Sequence, residues 1–214
     1  MNIAGYIGKM IRIDLTTSQT SIEELDVETI KKWEGGVGLG AKLLYDEIPA
    51  GVEWSDPENR IILTTGPLSG SGVFGAGTFN VATKGPMTNM AGSSQANGYF
   101  GAYLKFSGFD GVILQGKAPN PVYLLFRDGK LEIRDAGHLG GTNVQELEDT
   151  LRKELGAKEK EVSIYGIGPA GENCVRYSVI MGDRGHAASK NGIGAVMGSK
   201  KIKALVAYNG KRNF

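Results

Sequence analysis

Asp183–Lys203 reads DRGHAASKNGIGAVMGSKKIK, a run of small and polar residues leading into a short apolar stripe. Asn191 and Gly192 open a helix, Ile193, Val196 and Met197 supply its buried face, and Gly198 stands where it can stop. A helix that starts on small residues leaves its first N–H groups uncovered, and its dipole favours negative charge there. Arg184, His186 and Lys190 add positive charge or donors alongside. The pattern predicts an anion cradle. Taken alone, a glycine-rich loop is more often only a tight turn; a second copy changes the reading.

That copy lies near mid-chain. Asn97-Gly98-Tyr99-Phe100-Gly101-Ala102 matches Asn191-Gly192-Ile193-Gly194-Ala195 with one residue gapped, and each is followed by an apolar strand, Gly111–Gln115 and Ala204–Tyr208. Upstream, Ile61–Thr65 with Gly66-Pro67 answers Val162–Ile167 with Gly168-Pro169, and Phe79-Asn80-Val81 answers Tyr177-Ser178-Val179. Each half reads strand, Gly-Pro turn, strand, glycine-rich loop, short helix, strand. Two copies make a duplication rather than a solenoid. The repeats run over about 61–116 and 162–210, and two matching cradles suggest a ligand with two phosphates, or two phosphorylated ligands, near a pseudo-twofold axis.

Composition narrows the function classes. Lys+Arg 24 against Asp+Glu 23 gives no basic field, so nothing points to nucleic acid. The single cysteine, Cys174, excludes an internal disulfide and any iron–sulfur cluster held by this chain alone. No apolar run approaches the ~20 residues of a membrane span, and no signal segment opens the chain. The expected setting is cytoplasmic, without a membrane. At 214 residues the chain is long enough for one domain with a real core.

The remaining segments read as scaffold. Ile11, Ile13 and Leu15 alternate with Arg12 and Asp14 in a half-buried strand, and Thr20–Leu25 returns as its hairpin partner. Asp26 caps a short helix through Lys32. Gly35–Gly40 reads as a glycine loop before a helix over 41–47; its spacing does not fit G-x-G-x-x-G, so it reads as close packing. Pro67–Gly77 and Gly85–Asn97 read as long loops. Tyr99, Phe100, Tyr103 and Phe106 read as core. Val122–Phe126 and Leu131–Arg134 form a hairpin around Asp128-Gly129. Thr142–Leu155 is a helix, with Thr142 and Gln145 as its capping box. Cys174 is a buried filler and His138 a surface histidine. No catalytic side chains are visible.

Motifs in order along the chain resemble one family. Gly8-Lys9 with Arg12 and Asp14-Leu15-Thr16, GLGAKLLYDEIP from Gly38, TGPLSGSG from Thr65, TKGPMTNMAG from Thr83, GYFGAYLKFSGFDGVILQGKA from Gly98, PVYL from Pro121, IRDAGHL from Ile133, GPAGEN from Gly168, and DRG with NGIGAVMGSKKIKA together resemble the N-terminal domain of the aldehyde:ferredoxin oxidoreductase family. The resemblance covers nearly the whole chain. It implies an α+β fold of two mixed β-sheets with short helices, related by a pseudo-twofold, in a single cofactor-binding domain over 1–214. It also implies a tungsten (or molybdenum) bis-pyranopterin cofactor, with magnesium bridging the two pterin phosphates.

Residue by residue, the resemblance places cofactor contacts at Thr78, at Gln95, Ala96, Asn97 and Gly98, and at His186, Ala187, Ala188, Ser189 and Lys190. Gln95 and the Ala187 carbonyl fall at the magnesium positions. Three arginines usual in the family are Val37, Thr78 and Lys190 here, and Lys190 keeps a charge without the bidentate fork.

The implied activity is oxidation of aldehydes to carboxylates, or a related low-potential redox reaction, passing electrons to a ferredoxin-type carrier. Family members continue into helical domains that carry the iron–sulfur cluster. The expected partners are therefore those domains or a partner subunit, with a homodimer as a further option. The isolated 214-residue chain is expected to be inactive, whether it is an excised domain or a short paralogue. A second reading, from another class, is a non-catalytic binding or assembly domain that keeps the fold.

Overall fold

The computed structural model describes residues 3–211. Alternating apolar residues in Lys9–Asp14 (β1) pair antiparallel with Gln19–Glu24 (β2). Asp26 caps Val27–Trp33 (α1) by accepting from the Thr29 amide. Gly36–Glu47 (α2) follows, then Ile61–Thr64 (β3), Phe79–Lys84 (β4), Ala91–Ala96 (β5), Phe100–Phe106 (α3) and Gly111–Gln115 (β6). The second half runs Val122–Arg127 (β7), Lys130–Asp135 (β8), Val144–Leu155 (α4), Val162–Gly166 (β9), Pro169–Glu172 (α5), Ile180–Gly182 (β10), His186–Ala188 (β11), Ile193–Ser199 (α6) and Ile202–Tyr208 (β12).

The two sheets have the same topology. Sheet one is ordered β2-β1-β6-β3-β4-β5, and sheet two, read in the corresponding direction, β8-β7-β12-β9-β10-β11. In both, the only parallel pair is the first strand with the last, β1 with β6 and β7 with β12. The duplication is therefore larger than the glycine motifs suggest, because it includes the hairpins β1–β2 and β7–β8. Its register also differs. Phe79 opens β4 opposite Ala96, and Ile180 opens β10 opposite Ala188, so Phe79 corresponds to Ile180 and not to Tyr177.

The strand alternation splits each sheet between two cores. Ile61, Leu63, Val81, Val112 and Leu114 face the second sheet's Tyr165, Ile180, Leu205 and Ala207, with Phe100 of α3 and Ile193 and Val196 of α6 between them. Phe79, Phe100 and Tyr165 knit the halves together, with ring centroids 4.9 Å apart for Phe79–Phe100 and for Phe79–Tyr165. The opposite faces are covered by helices: Ile62, Ala82 and Ile113 by Leu39 and Leu44 of α2, and Leu125, Ile164 and Val206 by Leu147 and Leu151 of α4.

Four local expectations change. The glycines from Gly36 to Gly40 lie inside α2 rather than in a loop before it, and packing explains them. A methyl on Gly38 would sit 2.5 Å from the Trp33 carbonyl, and one on Gly40 3.0 Å from the Ala82 methyl. Gly85–Asn97 is not a long loop, since β5 occupies its second half. The capping box of α4 lies one residue later than read, between Asn143 and Glu146, and Gly156 ends the helix in the left-handed conformation. Cys174 is only half-buried.

Candidate functional site at the seam between the two halves

Strands β5 and β11 are the outer edges of their sheets and lie against each other. Two contacts fix how they meet. The Lys190 amide donates to Ser94 Oγ (3.1 Å), and the Tyr99 amide donates to Asp183 Oδ2 (2.7 Å). Low numbers on one edge therefore meet high numbers on the other, and Gln95–Asn97 is bracketed opposite His186–Ser189. Gln95 and Ala187 also hold corresponding places in the duplication, each just before the buried alanine that pairs with the first residue of β4 or β10.

The expected site residues thus gather in one seam. Thr78 joins it through a hydrogen bond from its hydroxyl to Asn97 Oδ1 (2.8 Å). Ala96 and Ala188 are buried and anchor the seam from below. Gln95, Asn97, His186, Ser189 and Lys190 are exposed, and Lys190 makes no ion pair among the described residues.

The anion cradle read at the helix starts is not open. Gly192 and Ile193 are buried, and the Gly194 amide donates to the Ser178 carbonyl (3.1 Å). In the first half the Gly101 amide donates to Gly77 (3.2 Å). Arg184 points elsewhere, to Asp149 (2.8 Å) and Glu159 (3.3 Å). The groups left for a ligand are those of the seam.

Beside Gln95 a cleft of about 280 Å³ runs to the start of α2, lined among others by Gly36, Thr64, Ser69, Thr78, Asn80 and Gln95. Asn80 is the residue that sequence reasoning missed. It pairs with Gln95 across β4–β5, is 1% exposed, and its Oδ1 accepts from Ser93 Oγ (2.5 Å), while its Nδ2 has no partner among the described residues. A buried donor without an acceptor is costly, by ~1–3 kcal/mol, and is a mark of a place completed by something else. Its only sequence signal is a polar residue on the buried strand Phe79–Lys84. Among the described residues no charged side chain lines this cleft, so it suits a neutral, acceptor-rich ring system. A phosphorylated pterin fits that donor set.

Asp183 is a second polar centre, half-buried. Its carboxylate accepts from the Tyr99 amide, from Ser163 Oγ (2.7 Å) and from the Ile164 amide (3.3 Å). Burial outweighs these donors and pushes its pKa above the usual carboxylate range. Tyr103 beneath the seam is raised to about 12, also by burial.

Fold and seam define a class of protein: a duplicated α+β domain whose matched edge strands meet in one seam. The chain matches the model of the aldehyde ferredoxin oxidoreductase N-terminal domain over residues 10–209, and it belongs to that family. It is 45% identical over 207 residues to the tungsten-containing aldehyde ferredoxin oxidoreductase of Pyrococcus furiosus, covering 97% of this chain and 34% of that protein. It is 43% identical over 208 residues to the enzyme of the same name from Thermococcus kodakarensis, with the same shares covered. Against the WOR-like subunit of the aliphatic sulfonate oxidoreductase of Pyrococcus furiosus it is 39% identical over 215 residues, 94% of this chain and 34% of that protein. Among solved structures, the active site complex BamBC of benzoyl coenzyme A reductase with 1,5-dienoyl-CoA superposes with a TM-score of 0.93 at 38% identity. That match covers 97% of this chain and 31% of the other. The chain thus spans about a third of the length of these relatives. Among the described residues no helix is long and apolar enough to cross a membrane.

Proposed function

We propose that this chain is the cofactor-cradling domain of a tungsten-dependent oxidoreductase that converts aldehydes to carboxylates or performs a related low-potential redox reaction. The observation that carries the reading is that Gln95 and Ala187 hold corresponding positions in two sheets of the same topology, on edge strands that meet in one seam. A ligand with two similar halves needs such a pair. Each half of a tungsten bis-pyranopterin would take one side, and the metal–dithiolene unit would supply the redox chemistry.

This chain's own share is binding and orientation. Gln95 Oε1 and the Ala187 carbonyl would offer hard oxygens suited to a magnesium ion. Lys190 would add a charge, and Thr78, Ala96, Asn97, Gly98, His186, Ala188 and Ser189 would form the walls. Asn80 Nδ2 would donate to a ring acceptor in the cleft. Aldehyde oxidation takes an oxygen from water and releases two electrons, so a cluster and a ferredoxin-type carrier must receive them. With one cysteine, this chain leaves the cluster to the polypeptide that completes it. Relatives named for aldehydes and for an aliphatic sulfonate share this domain, so the domain itself does not set the substrate.

The uncharged cleft favours one competing reading, an assembly domain that binds no cofactor. Elemental analysis separates the two. The protein, purified with its completing polypeptide from tungstate-fed cells, is expected to carry tungsten or molybdenum together with an acid-extractable fluorescent pterin. Neither metal nor pterin in a folded complex overturns the cofactor reading.

A further inference from the structure

Strand β5, which carries Gln95, is an edge strand with small residues and only β4 as a sheet neighbour. Such an edge has little packing of its own to fix it. The second half grips it at its middle and just past its end. After the strand, Asp183 takes the Tyr99 amide, and the Tyr165 hydroxyl donates to the Asn97 carbonyl. Within it, Asn191 Nδ2 donates to the Ser93 carbonyl (3.0 Å), beside the bond from the Lys190 amide to Ser94.

Glycines on the first half make room for these grips. A methyl on Gly98 would lie 2.6 Å from Asp183 Oδ2 and 2.7 Å from the Tyr165 hydroxyl. One on Gly92 would lie 2.8 Å from Asn191 Cγ. Asp183 and Asn191 both hold positive φ, 45° and 66°, the left-handed region that Asp and Asn enter more readily than other non-glycine residues.

We infer that Asp183 and Asn191 are positioning residues that set Gln95 from the opposite half of the duplication. Neither lines the cleft beside Gln95. One half-site is built by the other, so the shared site forms only when both halves are folded together. The assignment of Gln95 as a ligand rests on the function proposed above; the grip on its strand does not.

Two measurements on the full chain test this. In backbone amide exchange, Asp183→Ala is expected to speed exchange at Tyr99 and its neighbours by roughly 10-fold or more, the worth of a hydrogen bond to a charged acceptor. Asp183→Asn is expected to stay close to the original protein, because its carboxamide oxygen still accepts from the Tyr99 amide. Asn191→Ala should loosen the Ser93–Gln95 end instead. Amides of α4 and β7 should not change in any variant. Uniformly faster exchange across α4 and β7, or no change at Tyr99, overturns the inference.

The second measurement is calorimetric affinity for magnesium pyrophosphate, a probe with two phosphate groups and one hard cation. Asp183→Ala and Asn191→Ala are expected to weaken it by about 5-fold or more, with rescue in Asp183→Asn. Equal affinity in all four proteins contradicts the inference. If the original protein ignores the probe while the exchange pattern appears, the ligand reading of Gln95 falls and the grip on the strand stands.

Discussion

Lys200 offers a sharp test of how this fold handles buried charge. It caps α6, is 1% exposed, and its ammonium donates to the carbonyls of Pro57 (3.1 Å) and Gly116 (3.0 Å). No carboxylate lies within ion-pair distance among the described residues. Burial, reinforced by Arg60 and only partly countered by Glu58, Asp14 and Asp56, lowers its pKa from 10.5 to about 7. The folded protein therefore holds fewer protons than the unfolded chain between about pH 7 and 10.5, and stability rises with pH across that window. At ~1.4 kcal/mol per pH unit the whole penalty of the charged form is at most ~5 kcal/mol.

Lys200→Met keeps the stem and removes the charge. Pro57 O retains the Gly116 amide, whereas Gly116 O loses the ammonium, at ~1–3 kcal/mol. At pH 7 the variant is expected to be at least as stable as the original. From pH 7 to 9 the original should gain up to ~3 kcal/mol on the variant, since all other groups titrate alike in both. Urea unfolding at pH 6, 7, 8 and 9 reads this directly. Parallel stability curves for the two proteins would refute the reasoning.

Other consequences are more local. Gly182→Ala places a methyl 2.0 Å from the Ile164 carbonyl and should cost roughly 3 kcal/mol or more, whereas Gly66→Ala meets open space and should stay within ~0.5 kcal/mol in the same denaturation series. Glu47 binds Arg12 with both oxygens (2.7 Å each) and Arg60 (3.2 Å). Burial raises its pKa, but the arginines outweigh this and hold it below the usual range. Its stabilisation is present above the unfolded value and lost as pH falls through the depressed one. Glu47→Gln should therefore cost ~1–3 kcal/mol at pH 7 and nothing in acid, as thermal melts at both pH values would show. Thr78→Arg should tighten binding of a phosphorylated pterin and Lys190→Glu should weaken it, with added salt shrinking both effects in calorimetric titrations.

What the sequence made legible followed from strong periodicity. Ile11-Ile13-Leu15 and the paired glycine motifs gave the strands and the duplication, because buried alternation and tight turns leave residue-level marks. The equivalence of β1–β2 with β7–β8 left none, since a hairpin constrains only alternation and its turn. Strand β5, Ala-Gly-Ser-Ser-Gln-Ala, looks like loop because its small residues serve close approach by Asn191 rather than a hydrophobic face. The helix start at Gly36 was hidden by glycines that a neighbouring strand and a carbonyl require. At the site, the resemblance carried Gln95 and Ala187 to one seam. It did not reveal Asn80 or Asp183, because the Asp183–Tyr99 bond spans 84 residues and no local pattern announces it.

The central claim is that matched edges of two duplicated sheets hold one two-part metal cofactor. Quantifying tungsten and phosphorylated pterin in the completed protein, alongside variants Gln95→Ala and Asn80→Leu, tests it most directly. The account predicts metal and pterin in the ratio of a bis-pterin complex, with both lost together in each variant. Pterin retained in full by both variants, or a folded complex carrying neither metal nor pterin, would contradict it.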